Sequence, residues 1–121
     1  MLSVPASVKI FIARDPVDFR KAHNGLLSIV RDQFGGDPFD GSLFVFLNKS
    51  RDRVKLLQWD QGGFWLHYKR LERGRFLLKV RDDVDGPRVA ITRAQLSMLL
   101  EGIDLENRRI RKPFELGKRM P

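Results

Sequence analysis

The chain has 121 residues, of which 42% are hydrophobic, and its 23 Lys and Arg against 15 Asp and Glu give a formal net charge of +8. This length and composition predict one folded domain rather than a disordered chain, and the absence of cysteine excludes disulfides, thiolate zinc sites and cysteine nucleophiles. The first residues lack a signal-peptide pattern and no apolar run has membrane-spanning length, so we expect a cytoplasmic protein with no membrane contact.

The first third of the chain predicts a strand followed by a helix. Residues 8–12 are rich in β-branched and aromatic residues, which is typical of a strand. Asp15 and Pro16 are residue types that begin helices, as N-cap and first helical residue. The helix is predicted to end at residues 35–36, and its buried face should consist of residues at helical spacing: Phe19, Ala22, Leu26, Leu27, Val30 and Phe34.

Three strands are predicted next, at residues 43–47, 54–59 and 64–69. The first is apolar throughout, which fits a strand covered on both faces. The two connections are short and polar, so these strands should form an antiparallel meander. A further strand, bent at Gly74, is predicted for residues 71–80.

A second helix follows residue 91, where Thr92 and Gln95 have the spacing of a capping box. Gly102 is expected to end it, and the predicted buried stripe is Leu96, Leu99, Leu100 and Ile103. The predicted class is therefore α+β, with an antiparallel sheet of about four or five strands packed with two helices. Residues 1–107 are expected to form one α+β domain, and residues 108–121 a basic C-terminal tail.

Positive charge is concentrated at residues 49–55, 69–81 and 108–119, each of which contains one acidic residue. Residues 59–76 combine aromatic residues with four Lys and Arg, a composition typical of nucleic-acid surfaces because cations neutralise phosphates and rings stack on bases. The alternative is an ordinary amphipathic sheet with a solvated basic face. The residues predicted to contact phosphates are Arg53, Lys55, Lys69, Arg70, Arg73 and Arg75, together with Arg108, Arg109, Arg111 and Lys112 of the tail.

The aromatic residues of the same stretch are candidate anchors for a protein partner. Strand alternation places Phe64, Leu66 and Tyr68 on one face and Trp65 with His67 on the other, so one set is expected in the core and the other at the surface. The predicted partner-binding residues are Trp59, Trp65 and Tyr68.

Signals for catalysis are weak. His23 and His67 lie far apart without metal-ligand spacing. A metal-dependent nuclease requires converging carboxylates, and the best candidates, Asp60 and Glu72, are explained more simply by a turn and a charge pair. Phosphate-loop and dinucleotide fingerprints are absent. We therefore expect no catalytic residue, no metal and no cofactor.

Four blocks between residues 5 and 105 carry a family resemblance. Residues 18–26 are similar to "DMRKGFDGL", residues 37–46 to "DPFSGHLFVF" and residues 91–104 to "ISxxQLxxLLEGID". With the block at residues 59–76, they resemble the TnpB-type accessory protein of bacterial insertion sequence 66 elements, which is unrelated to the RNA-guided nuclease of the same name. The chain differs from the family pattern at Asn24, where the family has aspartate, and at residues 77–80, where relatives often continue with Pro and Trp.

The resemblance implies a protein that is encoded beside a transposase and assists transposition. The strand-transfer chemistry is attributed in such elements to a separate, larger transposase. Two functions of different classes remain open: a non-enzymatic protein that binds DNA in the transposase complex, and an adaptor that docks on the transposase through exposed aromatics. A nuclease acting through Asp60 and Glu72 is a third. DNA and the transposase are the expected partners.

Overall fold

A computed structural model describes residues 4–80, 85–102 and 114–116, and the strands at 78–80 and 114–116 are described by their backbone alone. The helices are α1 (His23–Ser28), which continues directly into a π-helical segment (Ile29–Gln33), and α2 (Arg93–Glu101). The strands are β1 (Ile10–Ala13), β2 (Leu43–Leu47), β3 (Arg53–Asp60), β4 (Gly63–Arg70), β5 (Leu78–Val80), β6 (Arg88–Ile91) and β7 (Phe114–Leu116).

Five of the strands form one mixed sheet in the order β4-β3-β2-β1-β6. The predicted antiparallel meander of β2, β3 and β4 is confirmed, and so is the α+β class with two helices. The sheet is not wholly antiparallel, because β1 pairs with β2 in parallel and β6 is antiparallel to β1. The parallel pair arises because the chain crosses from β1 to β2 through α1, and parallel neighbours need such a crossover.

Each face of the sheet is covered by one helix. On the α1 face, residues such as Leu26 and Val30 pack against Phe44 and Phe46 of β2. On the α2 face, the buried cluster contains Val45 of β2 together with Leu96, Leu99 and Phe76. Strand β2 is buried at every position because it lies between both layers, as its apolar sequence predicts.

The first helix begins at His23, eight residues after the predicted N-cap Asp15, so this prediction is wrong. Residues 15–22 instead run along the end of the sheet. The Val17 backbone N–H donates to the Leu47 carbonyl (2.9 Å), and the Asp18 carboxylate accepts the backbone N–H of Arg20 (2.9 Å). These bonds replace the helical ladder, and Ala22 is exposed rather than part of a buried helical face.

The predicted strand at residues 71–80 is largely wrong. Backbone N–H groups of Leu71 and Phe76 donate to the carbonyls of Asp52 (2.8 Å) and Arg51 (2.7 Å), so the segment folds against the turn between β2 and β3. The bend at Gly74 is confirmed by its φ of 79°. After the bend, β5 pairs in parallel with β7 in a separate two-stranded sheet. The rest of the predicted tail, residues 108–113 and 117–121, lies outside the described residues.

Helix α2 matches its predicted start and end. The Thr92 hydroxyl accepts the Gln95 backbone N–H (3.1 Å), and the Gln95 side-chain oxygen accepts the Thr92 backbone N–H (2.8 Å), which completes the capping box. Gly102 follows the helix with φ of 70°. Ile103, the last residue of the predicted stripe, lies outside the described residues. Within the described part of the chain, no helix has the length and apolar character needed to cross a membrane.

Candidate nucleic-acid interface

Two basic stretches that are separate in the sequence meet at one end of the sheet. Strand β3 begins and β4 ends there, with Arg53 opposite Arg70 in the register. The two backbone hydrogen bonds from residues 71 and 76 to the turn at residues 48–52 bring the next basic segment to the same place. We call this surface the basic end, and its cations are Lys49, Arg51, Arg53, Arg70, Arg73 and Arg75.

The acidic residues at the basic end do not balance its charge. Glu72 pairs with Arg70 (3.0 Å) and its hydrogen bond raises the pKa of that guanidinium. Asp52 accepts a hydrogen bond from the Asn48 side-chain amide (2.6 Å). Six cations therefore face two carboxylates, which produces a positive potential over this end of the molecule.

The turn at residues 48–52 is held in a fixed shape by its own polar groups. The Asn48 side-chain oxygen accepts the backbone N–H groups of Asp52 (3.1 Å) and Arg53 (3.0 Å). Arg51 has φ of 58°, a left-handed conformation that these bonds stabilise. Lys49 is left exposed at the tip. Sequence reasoning missed Lys49 and Arg51 as site residues, although the density of charge at residues 49–55 was the signal.

Lys55 does not belong to this surface, contrary to the prediction. Its side chain is buried, and its ammonium donates to the carbonyl oxygens of Phe19 (2.9 Å) and Lys21 (2.7 Å) and lies 4.9 Å from the Phe19 ring centroid. Burial lowers the pKa of Lys55. Strand alternation directs this residue to the α1 face, beneath residues 15–22, so it anchors that segment instead of contacting a phosphate.

The remaining predicted cations differ in how available they are. Arg70, Arg73 and Arg75 are exposed, whereas Arg53 is half-buried. Lys69 is exposed on the α2 face, and its ammonium donates to the Leu100 carbonyl (2.9 Å) in the last turn of α2, where a cation is favourable. The predicted tail cations Arg108, Arg109, Arg111 and Lys112 lie outside the described residues.

The aromatic residues gather at the other end of the β3–β4 hairpin. Trp59 is half-buried and packs edge-on against Phe64, with ring centroids 5.0 Å apart. Trp65 is 57% exposed, stacks on His67 and donates its indole N–H to Asp60 (3.1 Å). The Trp59–Phe64 pair lies six residues from the Arg53–Arg70 pair along the hairpin, which separates this cluster from the basic end by about 20 Å. This cluster and the cations share one stretch of the sequence but occupy different ends of the hairpin.

Tyr68 lies between these two regions. It shares the α1 face with Phe64 and Leu66, which are half-buried, yet it is 52% exposed. Its ring contacts Phe19 (6.2 Å between centroids), at the margin of the segment that covers Lys55. The two predicted faces are therefore correct, but they do not divide into a core set and a surface set, because Tyr68 is exposed on the face that it shares with Phe64 and Leu66.

The carboxylates proposed for a nuclease do not converge. Asp60 lies beside the hairpin turn and accepts the Trp65 indole N–H, whereas Glu72 follows the far end of β4 and pairs with Arg70. Among the described residues, no three His, Asp or Glu side chains are grouped so that they could hold a metal ion. The structure thus does not assemble the Asp60–Glu72 site.

Asp18 and Arg20 form a tight surface pair beside the basic end. Hydrogen bonds from the Arg20 side chain, and then from its backbone N–H, lower the pKa of Asp18 to about 2. The pKa of Asp18 is lower in the folded state than in the unfolded state, where it is about 3.9, so the pair stabilises the fold at pH values above about 3.9. This stabilisation is lost as the pH falls through 2.

We expect the Asp18 carboxyl carbon to titrate near pH 2 in an NMR experiment. Arg20→Gln should move this midpoint up towards about 3.9, because the charged hydrogen bonds are lost. Arg31→Gln removes an exposed guanidinium from the π-helical segment and should leave the midpoint unchanged. A wild-type midpoint near that of a free aspartate would contradict the pairing.

Comparison with known proteins identifies the family. A family model described as IS66 Orf2-like protein matches residues 8–110. Two proteins of Sinorhizobium fredii (strain NBRC 101917 / NGR234) are similar to this chain. The uncharacterized protein y4jC is 35% identical over 121 residues, and the alignment covers 97% of this chain and the full length of y4jC. The uncharacterized protein y4hO is 39% identical over 104 residues, covering 86% and 88% of the two chains. No solved structure matches significantly.

The match spans the five-stranded sheet, both helices and the whole basic end, and it agrees with the resemblance carried by residues 18–26, 37–46, 59–76 and 91–104. The chain belongs to the IS66 Orf2-like family, the accessory proteins of insertion sequence 66 elements.

Proposed function

We propose that this accessory protein is non-catalytic and binds DNA through the basic end. One observation carries the proposal: the register of β3 and β4 and two backbone hydrogen bonds bring two distant basic stretches into one surface. The four guanidinium groups of Arg53, Arg70, Arg73 and Arg75 suit phosphate oxygens, because the planar fork of arginine donates two parallel hydrogen bonds.

The proposed binding mode does not read sequence. A compact group of cations contacts phosphates, which fix position and orientation but carry no base information. The aromatic cluster is about 20 Å from the basic end, so it does not contribute rings to the same contact. In this proposal the protein holds DNA in the complex with the transposase, and the separate transposase supplies the strand-transfer chemistry.

Fluorescence anisotropy with labelled duplex DNA tests the proposal. With about six phosphate contacts, affinity should fall roughly 10³-fold between about 50 and 200 mM salt, and two unrelated duplexes should bind equally. Incubation with Mg²⁺ should leave the DNA intact. Absence of binding at low salt would refute the DNA-binding function, and Mg²⁺-dependent cleavage would refute the non-catalytic assignment.

A second candidate function is docking on the transposase. Strand β4 is an edge strand of the sheet, and three large aromatic side chains beside it are more than half exposed: Phe39, Trp65 and Tyr68. Exposed aromatics of this kind anchor protein interfaces. Trp65→Ser should then abolish co-purification with the transposase of the same element and leave DNA affinity unchanged. Unchanged co-purification would exclude this surface.

A further inference from the structure

A groove of about 620 Å³ lies beside the basic end, between residues 16–20 and the turn that leads into β3. One stretch of its lining is apolar and the other is polar and positive. The apolar residues are Pro16, Val17 and Phe19, and the polar ones are Lys49, Ser50 and Arg53 together with Asn48. Asp18 and Arg20 complete the lining and pair with each other, so Lys49 and Arg53 supply the unbalanced charge.

The polar stretch has donors to offer an anion. The Arg53 Nε is buried without a hydrogen-bond partner among the described residues, which is costly for a charged group. Lys49 is exposed at the tip of the turn. An oxyanion in the groove would bring acceptors to both side chains through short, charge-assisted hydrogen bonds.

The groove is formed in advance of any ligand. The Val17 N–H bond to Leu47 joins residues 16–20 to the end of β2, and the buried ammonium of Lys55 holds the carbonyls of Phe19 and Lys21. The Asn48 side chain fixes the opposite turn. Fixed walls reduce the ordering that a ligand would otherwise have to impose.

We propose that this groove binds one unpaired nucleotide of a DNA strand, with its phosphate at Lys49 and Arg53 and its base against Val17 and Phe19. A nucleotide is complementary to the groove, because it has an anionic phosphate for the positive lining and a flat, largely apolar base for the apolar lining. The volume lies within the range of about 300 to 1,000 Å³ that is usual for small-molecule sites.

An unpaired nucleotide is favoured over duplex DNA because a base inside the stack cannot enter a groove unless it is extruded. This inference rests on the proposed function and narrows its substrate. The basic end would hold duplex phosphates, and the adjoining groove would capture the first nucleotide of a single-stranded extension. The preferred ligand is therefore a junction between duplex and single strand.

Anisotropy with two probes tests the inference: a blunt duplex, and the same duplex with a short single-stranded extension. The wild type should bind the extended probe about tenfold more tightly at equal salt, which corresponds to stacking of one base and one added phosphate contact. Removing the terminal phosphate from the extension leaves the phosphodiester of the first unpaired nucleotide in place, so the ratio should be preserved. A preference that disappears with that phosphate would overturn base capture.

Matched variants locate the effect. Lys49→Gln and Phe19→Leu should each reduce the ratio between the two probes towards one, whereas Lys9→Gln, which removes a charge at the start of β1, should keep it. Circular dichroism checks that Phe19→Leu is folded. Lys49→Gln changes an exposed side chain, so its binding result can be interpreted even if Phe19→Leu does not fold. Equal affinity of the wild type for both probes would overturn the groove assignment alone. Failure to bind either probe would overturn the proposed function as well.

Discussion

Replacement of Lys55 by alanine is expected to lower the free energy of unfolding by about 2 to 4 kcal/mol. The lysine ammonium donates to the carbonyl oxygens of Phe19 and Lys21, and both would lose this partner in a partly buried site. Its buried stem also fills space on the α1 face. Because these bonds tie residues 15–22 to β3, their loss should loosen the whole segment.

Lys49→Ala is the matched control, since it removes the same side chain from an exposed turn. It should change stability by no more than about 0.5 kcal/mol. Urea denaturation measures the stability of both variants. Affinity for a blunt duplex, which does not use the groove, should show the reverse order at a temperature where both are folded: Lys49→Ala weakens binding and Lys55→Ala does not. Equal stability of the two variants would contradict the buried role of Lys55.

The elements that the sequence predicts well are those specified by neighbouring residues. Three of them depend only on residues a few positions apart: the apolar run of β2, the short turns of the meander and the Thr92–Gln95 capping box. Residues 15–22 are different, because their backbone groups bond to the Leu47 carbonyl and the Lys55 ammonium, which are thirty or more positions away. Asp15 and Pro16 have the composition of a helix start, but these distant bonds determine the structure.

The parallel pairing of β1 with β2 is equally non-local. No pattern inside either strand distinguishes a parallel from an antiparallel neighbour when one is buried on both faces. The path of the chain through α1 determines that β1 and β2 are parallel, and that path depends on where the helix packs. The predicted antiparallel sheet was therefore correct for the meander and wrong for this one pair.

The sequence predicts which stretches of the chain are basic, but it does not predict which of their cations are exposed at one surface. The three dense basic stretches are visible in the sequence, and Arg70, Arg73 and Arg75 are exposed as a contact role requires. Lys49 is exposed and Lys55 is buried, and this difference depends on residues 15–22, which cover part of β3. The separation of the aromatic cluster from the cations follows from the order of residues along β4, because Phe64 and Trp65 precede its first cation, Lys69.

Simultaneous replacement of Arg70, Arg73 and Arg75 by glutamine is expected to weaken duplex binding about 10²-fold at low salt. These three side chains are exposed at the basic end, so their loss removes phosphate contacts without opening a cavity. The Arg70–Glu72 pair is exposed on both sides and contributes little to folding. Thermal denaturation should therefore show a near-native transition.

The control is a triple variant with the same net charge, in which Lys9, Arg31 and Arg93 are replaced by glutamine. Lys9 directly precedes β1, Arg31 lies in the π-helical segment and Arg93 in α2, so all three are outside the basic end. If affinity depended only on total charge, the two triple variants would behave alike. If the basic end is the interface, the control should bind nearly as tightly as the wild type.

The slope of log K against log salt concentration is the measurement that tests the basic end most directly. Each lost phosphate contact should reduce its magnitude by about 0.9, so the Arg70/Arg73/Arg75 variant should show a slope smaller by about 2 to 3. The control variant should retain the wild-type slope. Equal slopes for the wild type and the Arg70/Arg73/Arg75 variant would contradict the assignment of the basic end as the DNA interface.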